Sequence, residues 1–291
     1  MSVVRDTLAV CRMIKIEHSV FALPFAFAGA FLAQGPGPDW SAPSWRVLVP
    51  LVVAMVAVRS FAMAVNRLAD LPIDSKNPRT LTRPLVTGEL KVSETLIFIA
   101  VSALVFVGAC WQLNSLCLAL SPLALVWSAL YSYTKRFTFL CHFFLGTVLG
   151  LAPLAGWLAV SPEIVLAPVL LGLGVTFWVA GFDILYACQD AEFDQAEDLH
   201  SLPADKGVPI ALALSTFSHV ITALLFLLAG WSAGAGLVYA GFCLVVAVIL
   251  LFEHRLISAD DLSRVNLAFF TLNGFVAVFL FAGAVIDSTL G

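Results

Sequence analysis

The sequence predicts an all-α polytopic membrane protein, and three observations carry that prediction. Hydrophobic residues make up 61% of the chain and charged residues only 12%, whereas a soluble domain is about one quarter charged. The apolar residues gather into nine runs, near 17–34, 46–66, 92–112, 115–132, 139–160, 164–187, 208–229, 234–252 and 266–287. Each is close to the ~20 residues that cross ~30 Å of hydrocarbon at 1.5 Å per residue. Two carboxylate-rich stretches interrupt the apolar chain, Asn66-Arg-Leu-Ala-Asp70-Leu-Pro-Ile-Asp74 and Asp183-Ile-Leu-Tyr186-Ala-Cys-Gln-Asp190-Ala-Glu-Phe-Asp194. Carboxylates are costly near a bilayer, so matched clusters suggest a shared metal or phosphate site.

The apolar runs are too long and too poorly alternating for barrel strands. Helices satisfy the backbone in lipid, so nine transmembrane helices in a single domain, 1–291, are expected. Before them, Val3, Val4, Leu8, Cys11 and Ile14 fall near one helical face, which predicts a short interfacial helix over 3–14. The run at 17–34 ends in small residues like a signal peptide. Eight further runs follow it, so an uncleaved first helix is expected.

The 15 Lys and Arg residues set the orientation. Arg5, Arg12 and Lys15 precede the first run. Arg67, Lys76, Arg79, Arg83 and Lys91 lie between the second and third. Lys135 and Arg136 lie between the fourth and fifth, Lys206 between the sixth and seventh, and Arg255 and Arg264 between the eighth and ninth. The positive-inside rule then places the N-terminus and both acidic clusters in the cytoplasm and the C-terminus outside, with the inner membrane as the expected location. The six cysteines show no metal or disulfide spacing and read as small buried hydrophobes. No nucleic-acid partner is expected.

Two loops are long, 67–91 and 188–207, and long loops in compact proteins are disproportionately functional. Each overlaps an acidic cluster, and after the cluster comes a Pro and then a Gly, Pro84 with Gly88 and Pro203 with Gly207. Positions 70 and 190, and 74 and 194, are 120 apart. This spacing suggests an internal duplication with halves near 17–135 and 139–255.

Asn66, Asp70 and Asp74 stand at i, i+4 and i+8, on one helical face, with Arg59 about two turns deeper. Asp190 and Asp194 repeat the spacing, and Asp183 lies seven residues before Asp190. Pro72 removes a backbone N–H and crowds the preceding turn, so the first helix is expected to end or kink near Asp70 and to leave Asp74 in a loop. Four carboxylates rimmed by Arg67, Lys76, Arg79, Arg83, Lys135 and Arg136 suit Mg²⁺ bound to a diphosphate.

These residues resemble the UbiA superfamily of intramembrane aromatic prenyltransferases. The resemblance rests on Asn66-x-x-x-Asp70-x-x-x-Asp74, Lys76-Asn-Pro-Arg79-Thr80-x-x-Arg83-Pro84, Tyr131-x-x-x-Lys135-Arg136 and Asp183-x-x-Tyr186-x-x-x-Asp190-x-x-x-Asp194. The opening Lys15-Ile-Glu17-His18-Ser-Val-Phe-Ala-Leu-Pro24-Phe adds to it. Arg67 departs from the Asp that many members carry there, and Pro72 is a second departure. The resemblance implies a nine-helix fold and Mg²⁺-dependent transfer of a polyprenyl group from its diphosphate to an aromatic acceptor. It implies Mg²⁺ on Asn66, Asp70, Asp74, Asp190 and Asp194, with Arg67, Arg79, Arg83 and Lys135 assisting the departing diphosphate.

The expected acceptor is an aromatic hydroxy acid. Arg59 and Arg136 are candidates for its carboxylate, because a planar guanidinium grips a carboxylate bidentately. For Arg59 the alternative is an ion pair with Asp183 or a cluster aspartate. Asp183 and Tyr186 are candidates to orient the acceptor hydroxyl or to take part in proton removal. 4-Hydroxybenzoate in ubiquinone-type biosynthesis is the first acceptor, and a dihydroxynaphthoate in menaquinone biosynthesis the alternative. A secondary transporter of an anionic or lipid-linked solute is the reading of a different class. Transporters carry ionisable groups near the midplane, whereas these carboxylates stand at run ends.

Overall fold

The computed structural model describes residues 2–14, 22–35, 40–258, 261–262, 264–265 and 271–290. Lys15, Glu17 and His18 of the family-like opening lie outside them. The helices in chain order are α1 (Ser2–Ile14), α2 (Leu23–Leu32), α3 (Trp45–Ala69), α4 (Leu71–Asp74), α5 (Val92–Leu113), α6 (Ser115–Thr134) and α7 (Cys141–Val160). They continue with α8 (Leu166–Ala187), α9 (Ala191–Ala196), α10 (Leu202–Lys206), α11 (Val208–Ser232), α12 (Leu237–Leu256) and α13 (Asn273–Leu290). Among the described residues eight helices are long and apolar enough to cross a membrane. The run expected at 17–34 is described from Ala22 onward, where α2 is ten residues long. The protein is a multi-pass, membrane-embedded helical protein.

The lipid-facing surface is apolar and the crossings are small and polar. Leu96, Ile97 and Leu104 on α5, and Phe217, Val220 and Leu224 on α11, are exposed. Ser215, Ser218 and Thr222 on α11 are buried. Their hydroxyls donate to helix carbonyls, Ser215 Oγ to Gly181 O at 2.7 Å and Thr222 Oγ1 to Ser218 O at 3.0 Å, so these hydroxyls are satisfied against the neighbouring helix.

The chain forms two compact units. One holds the described residues of Met1–Val20 and Val49–Tyr133, the other those of Phe21–Leu48 and Thr134–Gly291. In the first unit α1 is a helix, as its periodicity predicts, and Ala9, Met13 and Ile14 on it are buried, packed with Ala64, Leu85 and Leu90. Leu8, expected on the apolar face with Ile14, is exposed instead, because an apolar residue of a membrane protein can face lipid as readily as protein. Asn114 separates α5 from α6 and accepts the Cys117 N–H on Oδ1 at 2.9 Å, capping the new helix.

In the second unit α2 packs on α7 and α13, α8 on α7 and α11, and α12 on α11 and α13. Thus α2, early in the chain, belongs with helices more than a hundred residues later. Glycines make the α7 crossings close. A Cβ on Gly156 would stand 1.8 Å from Ala26 O, and one on Gly150 2.5 Å from Gly172 O. Such small residues let helix backbones meet where no hydrophobic force joins helices in lipid.

A buried polar network ties α8, α11, α12 and α13 together. Trp178 Nε1 donates to Asn273 Oδ1 at 2.7 Å, which leaves Asn273 Nδ2 to donate to Glu253 Oε1 at 3.0 Å. His219 donates from Nε2 to Trp178 O at 3.2 Å, and its Nδ1 lies 2.9 Å from His254 Nε2. Asn273 is the joint, so Asn273→Leu strands both the Trp178 N–H and Glu253. It should cost about 1–3 kcal/mol for each group left unpaired, read as a fall in the unfolding midpoint in detergent. An unchanged midpoint would show that the network contributes nothing. At the other end of α12, Asp287 of α13 accepts Gly236 N at 2.7 Å and Tyr239 N at 3.1 Å, a carboxylate cap on a helix N-terminus.

Candidate active site

In the first unit the site grows from the end of α3. Asp70 N donates to Asn66 O, so Asp70 completes the last turn, and Asp74 N donates to Asp70 O at 2.8 Å, so the chain turns helical again at once. Pro72 occupies the first turn of α4, where its missing N–H would have had no partner in any case. The helix therefore ends near Asp70 as expected, but Asp74 does not sit in a loop. It is buried in α4, 5% exposed.

Side chains pair tightly around it. Asn66 Nδ2 donates to Asp70 Oδ2 at 3.1 Å, which the i, i+4 spacing predicts. Arg83 forms an ion pair with Asp74 Oδ2. Thr80 Oγ1 lies 2.8 Å from Asp74 O and 3.2 Å from Asn77 O. Asn77 Oδ1 accepts Arg79 N at 2.9 Å, and together these bonds fold 74–80 back on itself. Arg67 is buried. Its Nε donates to Met13 O at 3.3 Å, one of the carbonyls that a helix C-terminus leaves without a partner. Its Nη1 donates to Asn66 Oδ1 at 3.3 Å. Arg83, Asp74, Tyr131 and Asp70 are its charged or titratable neighbours. Arg67 is thus a strut between α1 and the motif as well as a cation beside it, a role its place in the motif does not reveal. Arg59 is half-buried in α3, while Lys76 and Arg79 are exposed.

In the second unit α8 runs into one 3-10 turn, Cys188–Asp190, and then α9. This keeps Asp183, Tyr186, Asp190 and Asp194 along one 31-residue helical run. All four are partly buried. Ser201 Oγ donates to Asp194 Oδ2 at 2.8 Å. Lys135, Asp190 and His142 are charged or titratable neighbours of Asp194. Lys135 is half-buried, and Arg136 beside it is exposed. His200 N donates to Lys135 O at 2.7 Å, joining the long loop to the segment before α7. Asp183 Oδ2 lies 2.7 Å from His142 Nδ1.

Two members of this set carry no mark in the sequence. Ser201 lies in a loop, where a hydroxyl gives no spacing signal. His142 meets a carboxylate 41 residues away, so no local pattern could mark it. The two glycines singled out by their shared spacing both have positive φ. Gly88 has φ +75° and Gly207 φ +84°, where a side chain would be strained, and each closely precedes a long helix.

The described chain is thus a set of membrane-spanning helices with two aspartate motifs at helix ends and basic side chains beside them. The family model described as the UbiA prenyltransferase family matches residues 22–279, and the chain belongs to that family. It is a prenyltransferase, which decides against the transporter reading. A relative in Shewanella woodyi, named 4-hydroxybenzoate octaprenyltransferase, is 29% identical over 256 residues, 88% of this chain and 87% of its own. Among solved structures, the apo structure of a UbiA homolog from Aeropyrum pernix K1 is 34% identical, with TM-score 0.83, covering 94% of this chain and 98% of its own. A UbiA homolog from Archaeoglobus fulgidus, solved bound to GPP and Mg²⁺, shares the fold at 21% identity. Its TM-score is 0.74, with 97% of this chain and 99% of its own covered.

Proposed function

We propose that the protein transfers a polyprenyl group from its diphosphate to the ring of 4-hydroxybenzoate, in ubiquinone-type quinone biosynthesis. The observation that supports this best is the set of buried or half-buried oxygen ligands at the helix ends, Asn66, Asp70 and Asp74 in one unit and Asp190 and Asp194 in the other, each set with basic neighbours. The name of the Shewanella woodyi relative supports the acceptor. Oxygen donors of this kind fit Mg²⁺, which keeps waters and shares phosphate oxygens rather than needing an all-protein cage. Among the described residues no three His, Cys, Asp or Glu side chains form such a cage.

Mg²⁺ on these residues would neutralise charge on the departing diphosphate. The protein's own cations then take the remaining phosphate oxygens. Arg83 already stands beside Asp74, Arg67 beside Asn66, and Lys135 near Asp194, with Arg79 in the same loop as Arg83. Arg59 and Arg136 are assigned to the acceptor carboxylate. Asp183 and Tyr186 are assigned to its hydroxyl. As the positive-inside reading has it, both motifs open to the cytoplasm and the C-terminus lies outside, in the inner membrane.

The test uses purified protein with radiolabelled prenyl diphosphate, Mg²⁺ and either 4-hydroxybenzoate or a dihydroxynaphthoate. Label should pass to 4-hydroxybenzoate, and EDTA should stop it with at least a ~100-fold loss. Transfer to the naphthoate alone would replace the acceptor, and transfer undiminished by EDTA would remove the metal.

A further inference from the structure

His142 is enclosed at the start of α7, with its side chain only 3% exposed, and both its ring nitrogens are engaged. Nε2 lies 3.2 Å from the backbone N of Leu202, at the start of α10. A backbone N–H can only donate, so Nε2 is an acceptor and carries no proton. The proton of the neutral ring is therefore on Nδ1, and it donates to Asp183 Oδ2 at 2.7 Å. One end of the Asp183 carboxylate is thereby fixed. Its side chain is 27% exposed. The carboxylate is held through Oδ2 by a buried histidine and stays partly exposed.

The clamp has a second anchor. Leu202 follows Ser201, whose hydroxyl holds Asp194, and His200, whose N–H holds the Lys135 carbonyl and whose carbonyl accepts from Cys141 Sγ at 3.4 Å. His142 thus ties Asp183 to the same short stretch that sets Asp194. A shift at 200–202 would reach both carboxylates.

We infer that His142 is a positioning residue for the acceptor: it orients the Asp183 carboxylate so that Oδ1 accepts the hydrogen bond of the acceptor's phenolic hydroxyl. That bond fixes the ring and pushes electron density toward the carbon beside the hydroxyl, the carbon that takes the prenyl group. The inference rests on the proposed transfer to a phenolic acid. It adds that acceptor recognition depends on a residue that never touches the acceptor. Misplacement of a reacting group by ~1 Å can cost about 10²-fold, so the effect should be large.

Two substitutions separate the ends of the clamp. His142→Asn keeps a donor near the Nδ1 position and loses the reach to Leu202. His142→Gln reaches the Nε2 position, where its carbonyl can accept from Leu202, and leaves Asp183 unheld. Both proteins are to be checked by thermal unfolding. The kcat and KM for 4-hydroxybenzoate and for geranyl diphosphate are then measured with Mg²⁺. His142→Gln should lose about 10- to 100-fold in kcat/KM for 4-hydroxybenzoate, with the KM for geranyl diphosphate within about twofold of the unsubstituted protein. His142→Asn should recover most of that loss. Adding Asp183→Asn to His142→Gln should cost little more than either alone, because coupled residues are not additive. Equal losses in both variants, falling alike on both substrates, would overturn the role of His142 and leave the prenyl transfer standing. An unsubstituted protein that prenylates no phenolic acid would overturn the acceptor reading, and this inference with it.

Discussion

Asp70→Ala and Asp190→Ala should each lower prenyl transfer by about 10²-fold or more, with the loss mainly in kcat. Each removes a carboxylate that the proposed function assigns to Mg²⁺, and groups that meet developing charge are worth roughly 10²–10³ in rate. Asp70 is 4% exposed and accepts a bond from Asn66, and Arg67 counts Asp70 and Asp74 among its charged neighbours. Removing the carboxylate therefore also unbalances buried cations, which can cost stability. Asp70→Asn and Asp190→Asn control for this, since they keep the shape and lose the charge. If the Asn variants unfold at the normal temperature and are still inactive, the charge is what the reaction needs. Either alanine variant retaining near-normal turnover would show that its motif takes no part in the chemistry. Asp74 offers a finer comparison, because its Oδ2 is paired with Arg83. Arg83→Ala should weaken binding of the prenyl diphosphate more than it slows the bound substrate.

The second large effect lies away from the chemistry. Gly156→Val and Gly29→Val should each abolish or sharply reduce recovery of folded protein. The added Cβ would stand 1.8 Å from Ala26 O in the first case and 2.0 Å from Pro153 O in the second. Both obstacles are backbone, which cannot swing aside, so α2 and α7 would have to part. Overpacking of this kind costs typically 1–3 kcal/mol and sometimes more. Valine also brings branches beyond Cβ, so the upper end is expected. Surviving protein should unfold roughly 5–10 °C lower. Gly108→Ala on α5 and Gly241→Ala on α12 are the controls, because a Cβ there meets nothing within 4 Å. Those changes should be neutral or slightly stabilising, by up to about 1 kcal/mol. Equal losses at all four glycines would mean that helix propensity, and not the α2–α7 crossing, sets the effect.

Much of the site is legible in residue spacing alone. The i, i+4 step from Asn66 to Asp70 becomes a hydrogen bond because Asp70 closes the last turn of the helix that carries Asn66. Asp74 departs from its expected loop, because Pro72 starts a new helical turn instead of breaking one. A proline acts as a break inside a helix and as a favourable start at its first turn, and the sequence does not say which register applies. Arg67 is legible as a cation and illegible as the residue that caps α1, since its partner Met13 is 54 positions away.

The helices, their number among the described residues to within one, and the placing of carboxylates at helix ends follow from composition and charge order. Lipid offers the backbone no hydrogen bonds, so long apolar runs have few alternatives, and charged groups are driven to their ends. Partner choice between helices follows a different rule. Helix faces in lipid are nearly equal in hydrophobicity, and close packing by glycines and buried hydroxyls selects among them. That selection places α2 against α7, joins Asn273 to Trp178, and brings His142 to Asp183. It is decided by shape over long separations, and no local periodicity contains it.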